Sequence, residues 1–270
     1  MKIIRVLFLI AFTGTITNCT TIKSGAEMDK ANIKSIKEYY QLKVFTLKST
    51  SQVKVIDAYL EEAYLPALKR LNINNVGVFK PHLNETDTIQ KIYVLIPFKS
   101  IEQFLELSNK LAKDNEYLVA GSDYLNASNE QPPYERIETT LMTSFTDFPY
   151  LRVPKLSTPK KDRVYELRSY ESPTDIYYKN KVDMFNAGGE TKLFDRLGFN
   201  AVFYGEVISG AKMPNLMYLT TFSDKKSRDA HWDNFVESPE WKRLSSMEKY
   251  KNTVSHADIM LLYPTEYSDY

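Results

Sequence analysis

The chain has 270 residues, with 35 lysines and arginines against 34 acids for a formal charge of +1, one cysteine and nine glycines. That length suits one large or two small domains, and a balanced charge without a long basic run lacks the electrostatic footprint of a dedicated nucleic-acid binder. The lone cysteine excludes an internal disulfide framework and a cysteine-rich metal centre, and the scattered glycines form neither GxGxxG nor a P-loop, so the usual phosphate cradles are missing.

Residues 1–19 read as an export signal. Lys2 and Arg5 precede the wholly apolar run from Val6 to Phe12, which is much shorter than the ~20 residues a membrane-spanning helix needs. The cysteine, Cys19, closes this segment and resembles the lipidated residue of a bacterial lipoprotein signal, although Asn18 stands where that signal usually carries Gly, Ala or Ser. The polar stretch 20–37 reads as a tether. The expectation is an exported protein of the bacterial cell envelope that meets the membrane only through Cys19, with an ordinary secreted protein cut nearby as the alternative.

The rest of the chain repeats itself. Gln41-Leu42-Lys43 aligns with Glu166-Leu167-Arg168, Leu71-Asn72-Ile73 with Leu197-Gly198-Phe199, and Ile92 to Phe98 with Leu216 to Phe222. An offset of about 125 residues is too long for a solenoid unit and suits a duplicated small domain. Residues 38–148 and 163–266 are therefore expected to be two tandem domains, joined by 149–162, where Pro149, Pro154 and Pro159 alternate with charge.

Each copy shows the same periodicities in the same order. Tyr39 to Leu47 and Arg163 to Tyr170 alternate as half-buried strands. Val53, Ile56, Leu60, Ala63, Ala67 and Leu71 recur at helical spacing, as do Ile176, Phe185, Leu193, Phe194 and Leu197 less regularly around Gly188-Gly189. Two strands follow, Val76 to Lys80 with Lys91 to Pro97, or Asn200 to Val207 with Asn215 to Phe222. A second helix starts at Ser100, with Gln103 completing a capping box, or near Ser223-Asp224. Glu135 to Phe145 and His256 to Tyr263 close the copies as strands, and Tyr263 to Tyr270 reads as a frayed tail. The order βαββαβ is that of an α+β, ferredoxin-like unit with an antiparallel sheet and helices on one face.

The second sheet face must be wetted or buried. Tyr40, Leu42 and Val44 oppose Gln41, Lys43 and Phe45, and Tyr165, Leu167 and Ser169 oppose Glu166, Arg168 and Tyr170. The first set of each pair is expected beneath the helices. The charged and aromatic sets are expected to line a polar cavity between two sheets that pair within the chain or across a homodimer.

The second copy, from Val164-Tyr165-Glu166-Leu167-Arg168-Ser169-Tyr170 through Arg228-Asp229-Ala230-His231-Trp232-Asp233-Asn234-Phe235 to Pro239-Glu240-Trp241, resembles the NIPSNAP family, with the first copy a more diverged relative. The resemblance implies a dimeric α/β-barrel architecture, in which ferredoxin-like units pair around a central cavity. That superfamily includes cofactor-free monooxygenases, haem-degrading enzymes and chlorite-dismutase-like proteins, so it implies a fold more firmly than a reaction.

Two groups of residues carry candidate chemistry. His231 and Trp232 lie on one predicted helix. Trp232, Phe235 and Trp241 read as core packing, and His231 as either core or a proton-transfer group at a cavity mouth. One histidine is too few for a metal, and nothing arranges it with His82 and His256, so no metal and no cofactor is expected. Neighbouring first and last strands would bring Glu166, Arg168 and Tyr170 beside His256 and Asp258, either as a salt bridge from Arg168 to Asp258 or as an anion-binding group with Tyr204 packing the ligand. Nineteen tyrosines suit an aromatic ligand, but no carboxylate pair, GxSxG elbow or free cysteine supplies hydrolytic or nucleophilic machinery. Three readings remain: a binder of a small aromatic or anionic molecule, a cofactor-independent monooxygenase-like enzyme, and a structural or partner-binding envelope protein.

Overall fold

The computed structural model describes residues 37–82 and 89–270. The expected signal, Cys19 and residues 20–36 of the tether lie outside the described residues. The first half runs β1 (Tyr39–Leu47), α1 (Thr50–Ala58), a π-helical turn (Tyr59–Tyr64), α2 (Leu65–Arg70), β2 (Gly77–Pro81), β3 (Gln90–Phe98), α3 (Ile101–Leu111), α4 (Asn115–Ala120), α5 (Ser122–Leu125) and β4 (Arg136–Ser144). The second runs β5 (Val164–Glu171), α6 (Asp175–Phe185), α7 (Glu190–Arg196), β6 (Phe203–Ser209), β7 (Asn215–Phe222), α8 (Lys225–Glu237), α9 (Pro239–Ser246) and β8 (His256–Pro264).

Local chemistry sets several of these boundaries. Ser49, Ser100 and Asp224 accept hydrogen bonds from the backbone N–H three residues on, capping α1, α3 and α8. After α2 and α7 the chain reverses through left-handed residues, Asn72 at φ 58° and Gly198 at φ 76°. Ile73 then donates to the Leu68 carbonyl and Phe199 to that of Phe194, the wider C-terminal bond such a cap requires.

The eight strands form one closed barrel in the order β1-β3-β2-β8-β5-β7-β6-β4. All neighbours are antiparallel, and β1 and β5 each sit between the third and fourth strands of their half. The halves join edge to edge: Phe79 of β2 lies opposite Pro264 of β8, and Met142 of β4 opposite Val207 of β6. Edge pairing satisfies the backbone groups that two separately stacked sheets would leave open.

The structure inverts the expected faces. Tyr40, Leu42, Val44, Tyr165 and Leu167 pack in the barrel interior with Phe79, Phe203 and Met217, whereas Phe45 and Tyr170 pack under the helices and Glu166 bonds to α8. A barrel interior takes the more apolar set, while helices can offer charges and hydroxyls to the mixed set.

The expected linker and tail also differ. Leu151, Val153 and Leu156 pack against the interior core, and Arg163 donates to the carbonyls of Leu156 and Thr158. The tail is ordered beside β2: Asp269 and Ser268 accept from the backbone N–H of Val76 and Val78. Tyr270 stacks on Tyr165 and lies near Phe79 at that end of the barrel. Gly77 permits this, because a Cβ there would stand 2.6 Å from the Tyr270 ring. Among the described residues no helix is long and apolar enough to cross a membrane.

Candidate functional site

Glu166, Arg168, Tyr170 and Trp232 come together in the second half, between β5 and α8. Arg228 and Trp232 are four residues apart on α8 and so share a face. The Glu166 carboxylate, wholly buried, accepts from Arg168 at 2.7 Å, from Arg228 twice at 2.8 Å and from the Trp232 indole at 2.7 Å. Burial pushes its carboxyl up, but the Arg228 bonds, the Arg168 charge and the indole N–H outweigh this and hold it below the usual range. Arg168 also donates to the Tyr170 hydroxyl at 2.7 Å, which is 2.8 Å from that of Tyr218. The Arg168 guanidinium lies 3.7 Å from the Trp232 ring centre. This network is internally satisfied: the Arg168 and Arg228 guanidiniums share the Glu166 carboxylate, and Arg228 also reaches Asp229 at 2.9 Å.

The remaining expected members lie elsewhere. Ser169 and Glu171, not Arg168, face Asp258 and His256 across β5 and β8, so the expected Arg168–Asp258 bridge is absent, and Arg168 pairs with Glu166 instead. Tyr204 is buried among Phe145, Phe194 and Tyr218, and its hydroxyl has no hydrogen-bond partner among the described residues. His231 packs on Phe199 and Phe222, and its Nδ1 donates to the Ser227 carbonyl at 2.6 Å. A second buried ion pair, Lys181 with Glu190 at 2.9 Å, lies in the same helical layer.

The barrel end near Ser169 opens into a cavity of about 340 Å³ lined by both halves, including Tyr93, Thr140, Lys212, Asn215 and Asp258. His256 Nε2 is 3.1 Å from Asp258, and atoms of Glu171, His256 and Asp258 lie within 4.8 Å of one another. Lys212 bonds to Asp258 and lies 3.5 Å from Glu171, supplying the cation that this grouping calls for.

A larger pocket, about 530 Å³, lies between β1 and the helices of the first half. Gln41 and Lys43 form its base, and Tyr59, Tyr64, Tyr117 and Tyr124 stand in its walls with Phe104 and Leu107. Tyr59 stacks on Tyr124 at 3.7 Å, and its hydroxyl is 2.9 Å from that of Tyr117. The π-helical turn brings Tyr59 and Tyr64 to the same wall. Lys43 Nζ lies 4.9 Å from the Tyr64 ring centre and has no carboxylate partner among the described residues. Burial alone pushes its ammonium down to about 8. Neither the tyrosine wall nor Lys43 was singled out from the sequence, although Lys43 aligns with Arg168 in the repeat.

The architecture is thus an α+β barrel of antiparallel, ferredoxin-like character, with cavities at its mouth and beneath its helices. Residues 165–269 match the NIPSNAP family model. The fold is similar to that of a candidate monooxygenase from Lactobacillus acidophilus NCFM, at 11% identity over 84% of this chain and 94% of that one with a TM-score of 0.55. It is also similar to a candidate monooxygenase from Fusobacterium nucleatum subsp. nucleatum, at 11% identity over 85% and 93% of the two chains with a TM-score of 0.56. At such identity the likeness is one of fold. No functionally curated protein matches the sequence.

Proposed function

We propose that the protein is an exported binder of small aromatic anions and that the pocket over Lys43 is its binding site. The observation that carries this reading is a lysine without a carboxylate partner among the described residues, at the base of a tyrosine-walled pocket of about 530 Å³, a volume within the range of small-molecule sites. A carboxylate would supply the counter-charge that Lys43 lacks, a charged hydrogen bond contributing ~1.5–3 kcal/mol. An aryl ring would pack among Tyr59, Tyr64 and Tyr124, each aromatic pair adding ~0.5–1.5 kcal/mol. In the second half the corresponding place is filled by Arg228 and Trp232 on Glu166 and Arg168, so that group acts as structure rather than as the ligand site.

In this reading 38–148 and 163–266 are two copies of one ferredoxin-like unit, joined by 149–162 and working as a pseudo-dimer within the chain. The shared strand order and the paired turns at Asn72 and Gly198 support it. Export and anchoring through Cys19 belong to the same proposal, and loss of acyl labelling in Cys19→Ser is the expected result.

Calorimetric titration with benzoate, naphthoate and their neutral amides tests the site. Binding of the acids, weakened at least ~10-fold in Lys43→Met, is expected from the loss of one charged contact. Failure of the folded parent protein to bind any acid, or equal binding by Lys43→Met, overturns the reading. Oxygen uptake on adding the bound acid would favour the cofactor-independent oxygenase instead.

A further inference from the structure

We infer that Lys43 is a nucleophilic amine that captures aromatic aldehydes and α-keto acids as imines. This inference rests on the pocket reading above and names the class of compound that reacts there.

Lys43 faces a pocket large enough for an aryl carbonyl compound, and among the described residues no acid pairs with it. The groups around it are Gln41 on its own strand, Thr139 on β4, Tyr59 and Tyr64 on the π-helical turn, Ser108 on α3, Tyr117 on α4 and Tyr124 on α5. None is a carboxylate, and burial pushes the phenols of Tyr59, Tyr64, Tyr117 and Tyr124 up, so all stay neutral. The same burial brings the Lys43 amine down from 10.5 to about 8. Roughly a quarter of the side chains would then carry a free lone pair at a pH of about 7.5, against about one in a thousand for an ordinary lysine.

The step balances without an oxidant or reductant. The Nζ lone pair adds to the carbonyl carbon, and the C=O π electrons move to oxygen, which takes up a proton. The carbinolamine then expels water as the nitrogen lone pair forms C=N, so amine and carbonyl become imine and water. In the Tyr59–Tyr117 hydroxyl pair only one O–H is used between the two rings, leaving the other phenolic proton available in the pocket wall. Lys181 is the internal contrast: it is buried in the helical layer of the other half, and the Glu190 carboxylate stands 2.9 Å from it.

The test exposes the full chain to benzaldehyde or phenylglyoxylate with borohydride, which reduces an imine to a stable secondary amine, followed by intact mass and peptide mapping. The expected result is one stoichiometric adduct at Lys43, at least ~10-fold above any other lysine, with a rate that rises through a pH of about 8. The adduct should be missing in Lys43→Arg, which keeps the charge but not the nucleophile, with circular dichroism confirming that this variant is folded. Adducts spread over other lysines while Lys43 of the folded parent stays unlabelled overturn the inference. If Lys43→Arg and the parent both bind benzoate but the parent gives no Lys43 adduct, the imine fails and the binding reading stands. If Lys43 is labelled but no aryl acid binds, the binding reading fails and the imine stands.

Discussion

Lys43 and Arg168 hold the same place in the strand order of the two halves, each on the helix-facing side of a strand lying between the third and fourth of its half. Arg168 has Glu166 at 2.6 Å and Trp232 against its plane. Lys43 has Gln41 where the acid would be and an open pocket above it. Exchanging one carboxylate for an amide thus accompanies the difference between a closed half and an open one.

Glu166→Gln should destabilise the fold by ~3–5 kcal/mol, because it leaves Arg168 and Arg228 without the buried carboxylate they share. Urea unfolding measures this. Since the carboxyl is held below 4.5 in the folded state, its contribution is full above that pH and is lost as pH falls through the lower folded value. The gap between parent and variant should therefore narrow in acid. A constant gap would contradict the ionic assignment.

Removing one member of the Lys181–Glu190 pair should cost more than removing both. Lys181→Met or Glu190→Gln alone strands a buried charge, at ~3–5 kcal/mol, whereas the double variant should recover most of that loss. A double-mutant cycle by chemical denaturation decides it, and additive effects would mean that the pair is not coupled.

Tyr204→Phe should leave stability unchanged or raise it by up to ~1 kcal/mol, since the hydroxyl it removes is buried without a partner. Calorimetry is the direct measurement. A marked fall in Tm would show that the hydroxyl is satisfied, for example by an internal water.

Affinity for an aryl carboxylate should fall as pH rises through about 8, where Lys43 loses its charge. Stability moves the other way. The folded value lies below the ordinary 10.5, so the cost of the buried ammonium is fully present below 8 and is relieved between 8 and 10.5. Lys43→Met should be the more stable protein at neutral pH, and its advantage should vanish in alkali. Titration and denaturation over pH check both limbs.

Much of the fold was legible from periodicity alone. The alternation in Tyr39 to Leu47 and the caps at Ser100 and Asp224 lie within a few residues of their partners. What alternation cannot fix is which face turns inward, since Tyr165 and Glu166 simply oppose one another until the barrel closes. The site was less legible for the same reason of range. Arg228 meets Glu166 from 62 residues away, and the run through Tyr59 and Tyr64 reads as ordinary helix although its bonds are those of a π-turn that sets both rings in one wall.

Hydrogen bonding that runs all the way round the barrel leaves the two halves without a hinge. Neither can swing against the other unless the β2–β8 or β4–β6 seam breaks. The walls of the pocket over Lys43 are therefore set by the outer helices packed on a barrel that is closed on itself. The π-turn, in mid-helix between α1 and α2, is what sets Tyr59 and Tyr64 in that wall.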